Sequence, residues 1–387
     1  MTIFEKVIRE VNKELLEDKK RTRPLVFMAG SDMSSLEGEH IPCNVAAINR
    51  DLAGGFKSGN LHLITGNPGS GKTALLSTVM QEGKKRGYIP IYVNLEPGLP
   101  ESTWLNINVD KGDFNIIAGN TSEEITEAVI KLLTALRDQS EERVIIAFDS
   151  INAFTPSNML KRQDTKGHDS AGMAERARAV SMFLERIAGT NLLASQSMIF
   201  IVSQKRVDIN SYGAPEKISG GKAVVYMPKT IVDLKGKRVM VKKKIQGAEV
   251  NFPVALEVTY LIEKNTAGGR KDENGKVVGN VPTAGQYTYT YSVDGQPGRI
   301  DDTLVLFEFA KASGVLMKIK SKFCFKFGDF DITETEITKK EDALKYLGEN
   351  EVIANKLREL LQNSGPAPEE ENISEPDTAD SVENINE

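Results

Sequence analysis

Two cysteines in 387 residues, Cys43 and Cys324, leave no disulfide framework to hold a fold. Three histidines, His40, His62 and His168, share no ligand spacing with the cysteines or one another, which excludes the zinc motifs. No run of about 18 apolar residues occurs, and the first twenty residues lack the continuous apolar stretch of a signal peptide. The expectation is a cytoplasmic protein that engages no membrane. Also missing is any lysine or arginine from residue 365 onward, where Glu369, Glu370, Glu371, Glu375, Asp377, Asp380, Glu383 and Glu387 stand among Pro, Asn and Ser. The net charge of −5 becomes +3 when these eight carboxylates are set aside. A mildly basic body with an acidic tail is a pattern of nucleic-acid binders with solvated or regulatory ends, a solubilising tail being the alternative.

What is present is globular in kind: 40% hydrophobic, 27% charged, with 32 Gly and 15 Pro. A wholly disordered, collagenous or long coiled-coil chain is thereby excluded. Residues 3–16 carry Phe4, Val7, Ile8, Val11 and Leu15 at helical spacing, and an apolar run follows at residues 25–28. From Ile41 the pattern alternates. Residues 61–65, 90–96, 144–150, 198–204 and 230–234 are short apolar runs of the kind found in buried parallel strands. Between them residues 74–86, 122–137 and 173–188 read as helices, the second behind a Thr121-x-x-Glu124 capping box. This alternation implies a parallel α/β sheet with ligands at the carboxyl ends of its strands. Beyond about Lys235 the period turns to two, as in Tyr287, Tyr289 and Tyr291 and in Lys318, Lys320 and Lys322, before a last helix near residues 351–362.

Gly66-Asn67-Pro68-Gly69-Ser70-Gly71-Lys72-Thr73 satisfies G-x-x-x-x-G-K-[ST] directly after a strand and before a helix. Its glycines let backbone N–H groups curl toward phosphate oxygens, Lys72 reaches the β/γ-phosphates, and the Thr73 hydroxyl ligates Mg²⁺ at a helix N-terminus that favours anions. Such a loop needs a strand-end carboxylate for the metal, and Val144-Ile145-Ile146-Ala147-Phe148-Asp149 supplies Asp149. Glu96 ends the intervening strand and is a candidate to orient an attacking water, a surface glutamate being the alternative. Trp104, the single tryptophan, is a candidate to stack on adenine, with core packing as the other reading.

The residues leading into this loop, from Ile41-Pro42 through Asp51-Leu52-Ala53-Gly54-Gly55-Phe56-Lys57-Ser58-Gly59, resemble the lead-in of RecA-family ATPases. Glu96 stands where that family places its catalytic glutamate, Asp149-Ser150 resembles its Walker B ending, and Ser203-Gln204 resembles its γ-phosphate sensor. Within the family the chain is most similar to bacterial RecA and UvsX-type phage recombinases. The resemblance implies a RecA-like P-loop core with a mostly parallel central sheet, an N-terminal helix and strand that serve oligomerisation (residues 1–40), an ATPase core (41–270), a small C-terminal α+β unit (271–364) and an acidic tail (365–387). It implies ATP and Mg²⁺, filaments on single-stranded DNA, pairing with homologous duplex, and loader and single-strand-binding proteins as partners. By motif, Arg176, with Arg178 nearby, resembles the end of the first DNA-binding loop. Lys205, Arg206, Lys217, Gly220, Gly221 and Lys222 resemble the second, where glycines and cations can follow a phosphate chain without reading bases. Tyr226 matches a position at the neighbouring subunit's ATP site. The family places two lysines from the adjacent subunit on the γ-phosphate; here Lys264 stands at that spacing, with Arg270 or Lys271 as substitutes. A hexameric helicase motor, a KaiC- or RadA-type regulatory ATPase and a recombinase paralogue that mediates assembly are the alternatives. Lys318, Lys320, Lys322 and Lys326, read as one strand face, are expected to offer the acidic tail a surface on which it competes with duplex DNA.

Overall fold

A computed structural model gives the structure of the protein and describes residues 38–95, 114–139, 142–161, 170–206, 217–245, 248–267, 282–291, 298–327, 331–335 and 337–363, with residues 10, 13, 270, 271, 277 and 278 besides. The N-terminal helix and strand expected within residues 1–37 therefore lie outside the described residues save for helical positions 10 and 13. The acidic tail lies outside them as well.

The strands are β1 (His40–Ile41), β2 (Phe56–Lys57), β3 (Leu61–Gly66), β4 (Tyr88–Asn94), β5 (Asn115–Ala118), β6 (Arg143–Asp149), β7 (Met198–Arg206), β8 (Lys217–Ile218), β9 (Thr230–Ile245), β10 (Ala248–Asn265), β11 (Arg270–Lys271), β12 (Val277–Val278), β13 (Thr283–Thr290), β14 (Arg299–Asp301), β15 (Leu316–Ile319), β16 (Lys322–Phe327) and β17 (Asp331–Glu334). The helices are α1 (Ala46–Asp51), α2 (Lys72–Lys85), α3 (Ser122–Gln139), α4 (Ser157–Lys161), α5 (Ser170–Ala188), α6 (Leu192–Ser195), α7 (Ala223–Tyr226), α8 (Thr303–Ala312), α9 (Lys340–Glu349) and α10 (Glu351–Asn363).

One sheet runs in the order β14-β13-β10-β9-β3-β7-β6-β4-β5. From β9 to β5 every neighbour is parallel, and β10, β13 and β14 extend the sheet antiparallel. Its central strands are apolar on both sides because each faces a separate core. Ile64, Ile145, Ala147, Phe200 and Val202 pack with Leu75, Leu76, Val79 and Met80 of α2, while Leu63, Ile146, Phe148, Ile199 and Ile201 pack with α3 and α5 through Val129, Phe183 and Leu184. Helix α3 starts as its capping box demands: the Glu124 N–H donates to Thr121 Oγ1 at 3.2 Å and the Thr121 N–H to Glu124 Oε2 at 3.3 Å.

The period-two tyrosines of β13 behave as written, with Tyr287 and Tyr289 buried against the α2 face. The division near residue 270 does not match a break in the sheet, which continues to Asp301 through β13 and β14. Beyond it α8, α9 and α10 close a third core over β15 and β16 through Phe307, Phe325, Leu347, Leu357 and Leu361. Arg358 fastens that unit, donating to both oxygens of the buried Asp302 at 2.8 and 3.0 Å. The expected lysine face is not one strand. Lys320 and Ser321 form the turn between β15 and β16 with φ of 48° and 72°, and Lys318 lies 4.6 Å over the Phe323 ring. No helix among the described residues is long and apolar enough to cross a membrane.

β3 carries a buried histidine. His62 stacks on Phe200 at 4.9 Å and donates from Nε2 to the Lys57 carbonyl at 3.0 Å, so it is held neutral. Burial pushes its pKa down to about 3, against the opposing pull of that hydrogen bond. The unfolded chain takes up this proton near pH 6.5 and the fold does not, so the stabilisation is complete above pH 6.5 and is lost as pH falls toward 3, at up to about 1.4 kcal/mol per pH unit. Urea midpoints measured between pH 7 and 4 are expected to fall more steeply for the wild type than for His62→Gln, and parallel profiles would refute the assignment.

Candidate nucleotide site and its surroundings

Strand β3 ends at Gly66, and the loop after it turns through glycines at φ 144° (Gly66), 74° (Gly69) and 91° (Gly71). The first could not be otherwise, since a β-carbon on Gly66 would stand 2.2 Å from the Leu234 carbonyl oxygen. Helix α2 begins at Lys72 with no acidic residue in its first turn and no side chain capping it, leaving its N-terminal N–H groups to an anion. Lys72 is buried and donates to the Gly66 and Asn67 carbonyls at 3.0 and 2.7 Å. Ser70 Oγ is buried with no partner among the described residues.

Strand β7 separates β3 from β6: Gly66 lies beside Gln204, Phe148 beside Ile201, and Asn94 beside Asp149, so β3 runs two residues further than β6 at this edge. Thr73 Oγ1 donates to Asp149 Oδ2 at 2.6 Å, and the Tyr92 hydroxyl to the same oxygen at 2.9 Å. The peptide joining Asp149 to Ser150 is cis. Two oxygens of the kind that hold a hard divalent cation therefore stand together beside the glycine-rich loop, and the donor set fits Mg²⁺ with a nucleotide. Tyr92 is the residue that motif reading misses. Its signal lies in the alternation of β4: Tyr92 pairs with Ala147, which shares the α2 face with Asp149.

Glu96 and Trp104 lie outside the described residues. Gln204 sits at the sheet edge, its N–H donating to Asn152 Oδ1 at 2.9 Å, just past Asp149, and its carbonyl accepting from the Ser219 N–H at 3.2 Å. Lys205, expected on a DNA-binding loop, is folded into an ion pair instead. Its ammonium lies 2.7 Å from Asp233 and 3.3 Å from Glu263 and is mostly buried. Burial opposes its charge, but the two carboxylates more than compensate and hold its pKa above the usual lysine value. Arg206 and Lys217, which flank residues 207–216, pair across the β7–β8 ladder. Gly220 and Gly221, at φ 104° and 85°, lie against α5: a β-carbon on Gly221 would stand 3.2 Å from Ala177 Cβ. The two segments that resemble DNA-binding loops thus meet. Arg176 precedes that alanine, half-buried with Nε unpartnered among the described residues, while Arg178 and Lys222 are exposed. Lys264 donates to the Tyr226 carbonyl at 2.8 Å, its pKa lowered by burial and by Lys229; Tyr226 itself is exposed.

The Lys205–Asp233 pair yields a stability expectation. Removing Lys205 leaves the buried Asp233 carboxylate without its cation, so Lys205→Ala is expected to destabilise the fold by about 3 kcal/mol in urea denaturation. A change below about 1 kcal/mol would place the pair in solvent instead.

The model of the RecA N-terminal domain family matches residues 10–259. Among curated relatives, Protein RecA of Gloeothece citriformis (strain PCC 7424) is 27% identical over 233 residues, 60% of this chain and 62% of that protein. Protein RecA of Synechococcus sp. (strain CC9902) is 28% identical over 219 residues, covering 56% and 55%. Protein RecA of Leptospira biflexa is 27% identical over 226 residues, covering 57% and 54%. The chain therefore spans less than two thirds of the length of these relatives. With the P-loop, the Asp149 strand and the Gly220–Gly221 turn all inside the matched span, the chain belongs to the RecA family.

Proposed function

We propose that this chain binds and hydrolyses ATP with Mg²⁺ at the P-loop, assembles as a helical homo-oligomer on single-stranded DNA, and promotes pairing with homologous duplex and strand exchange in recombination, repair or replication. The observation that carries this reading is the Thr73–Asp149 contact at the sheet edge next to Gln204. Strand β7 runs from that edge to Arg206, paired with Lys217, so one strand end adjoins both the nucleotide and the segment assigned to DNA.

In this reading Lys72 exchanges its two loop carbonyls for the β/γ-phosphates, and the N-terminal N–H groups of α2 hold the phosphate chain. Thr73 and Asp149 hold Mg²⁺, which when bound neutralises charge on the phosphate oxygens. Glu96 orients the attacking water, Gln204 senses the terminal phosphate, and Trp104 stacks on adenine. Arg176, Arg178, Arg206, Lys217 and Lys222, with the N–H groups of Gly220 and Gly221, follow the DNA backbone. Lys205 anchors the start of the segment assigned to DNA, its charge already matched by Asp233. Lys264, aided by Arg270 or Lys271, acts on the next subunit's nucleotide after giving up the Tyr226 carbonyl. The N-terminal 40 residues as the assembly arm, loader and single-strand-binding proteins as partners, and a cytoplasmic setting belong to the same proposal.

Lys72→Ala is expected to abolish nucleotide binding. Glu96→Gln is expected to retain ATP while slowing DNA-stimulated turnover by about 100-fold or more, because it removes water activation alone. Wild-type turnover by Glu96→Gln would sink the catalytic assignment. Electron microscopy with single-stranded DNA and a non-hydrolysable ATP analogue should show open helical filaments, whereas closed six-fold rings would favour a helicase motor.

A further inference from the structure

Strand β9 does not end where its parallel pairing with β3 ends. Gly66 is level with Leu234, so the next residues of β9 run beside the P-loop itself. Gly236 marks the closest approach: a β-carbon there would stand 2.9 Å from Ser70 Cα and 3.2 Å from the Gly69 carbonyl, so the loop rests on the bare strand. Alternation then decides which side chain comes next on that side of the strand. Leu234, Gly236 and Arg238 share one face of β9, the face on which Leu234 packs with α2. Arg238 is the first side chain beyond the gap, and its Nη2 lies 3.8 Å from where a Gly69 β-carbon would be. Its cross-strand neighbour Leu256 touches the same loop, 3.3 Å from the corresponding position of Gly71.

Arg238 is exposed, and among the described residues no hydrogen bond or ion pair holds its guanidinium. Lys237, the adjacent residue on the opposite face, is 3.7 Å from Glu257, so the two neighbouring cations are differently employed. Guanidinium is permanently charged and presents paired N–H donors that match phosphate oxygens two at a time. An arginine that no group among the described residues holds, laid against a loop built for polyphosphate, has one evident class of ligand.

We propose that Arg238 is a phosphate-binding residue supplied by the chain's own β9, adding its guanidinium beside Gly69 to the P-loop's hold on the polyphosphate of the nucleotide. This rests on the reading of the loop as an ATP site and adds to it a second cation, one that belongs to the same subunit as Lys72. It also places the foot of the long β9–β10 hairpin in contact with bound nucleotide.

The test is calorimetric titration of the full chain with a non-hydrolysable ATP analogue and Mg²⁺, and separately with inorganic tripolyphosphate, which has neither base nor sugar. Arg238→Ala is expected to weaken both by about tenfold, the loss of one charge-assisted contact, with the melting temperature of the ligand-free protein unchanged. Arg238→Lys should recover part of the loss, since charge returns without the paired donors. Unchanged affinity in Arg238→Ala would overturn the proposal, as would a loss confined to the nucleotide with tripolyphosphate unaffected. If Arg238→Ala melts earlier than the wild type, Arg238→Gln, which keeps the length and planarity of the side chain, decides the matter by the same two titrations. If the wild type binds neither probe, the ATP reading itself fails and takes this one with it.

Discussion

The hydrogen bond from Thr73 to Asp149 ties the first turn of α2 to a strand two places away in the sheet, and the architecture around it serves to make that span constant. Strand β7 fills the gap between β3 and β6, and its residues are buried on both faces, Phe200 and Val202 against α2 and Ile199 and Ile201 against α5. A strand packed from two sides has little freedom to shift in register, because a slip of one residue would exchange its two faces. The distance from loop to carboxylate is therefore set by sheet spacing, and Tyr92 fixes the rotation of the carboxylate from the third strand. Two oxygens that are to share one divalent ion need that rigidity, since each alone holds such an ion weakly.

The parts of this arrangement that could be read along the chain are those with local causes. The loop glycines and Lys72 lie within eight residues, the α3 capping box within four, and the central strands announce themselves as unbroken apolar runs. Lys205 illustrates the opposite case. Its partner Asp233 is far along the chain on β9, and the two come within reach across the gap past Gly66, where β3, the strand between theirs, ends its pairing level with Gln204. Nothing in the composition of the 205–222 segment separates a lysine bound for that gap from one facing solvent. The lysines after residue 318 fail for a related reason. A two-residue hairpin turn ordinarily declares itself by Asn or Gly, but here Lys320 and Ser321 take the left-handed conformation, and the period-two pattern runs unbroken through the turn.

The antiparallel half of the sheet does more than add area. Leu256 and Val258 of β10 and Tyr287 of β13 back the P-loop from behind Gly71, so the loop rests on a wall of apolar side chains instead of on solvent. Tyr260 carries the same wall to α1, donating to Asp51 at 2.8 Å in the interior. The lead-in segment, the loop and the antiparallel extension are thus one packed body, which explains why the sheet runs past residue 270 without a seam.

The hairpin of β9 and β10 outruns that body. Pairing with β3 stops at Leu234 and pairing with β13 begins at Ala255, so the ladder of residues 240–245 with 248–253 carries no third strand among the described residues, and Pro253, which has no N–H to offer, sits where that third strand falls away. A two-stranded ribbon clamped at one end is a lever arm. Six residues of strand span about 20 Å, so a tilt of about 5° at the clamp carries the far end through about 2 Å. Met240, Val241, Val250 and Phe252, exposed along the arm, would travel with it, while the clamp itself, at Gly236, moves by no more than the P-loop allows.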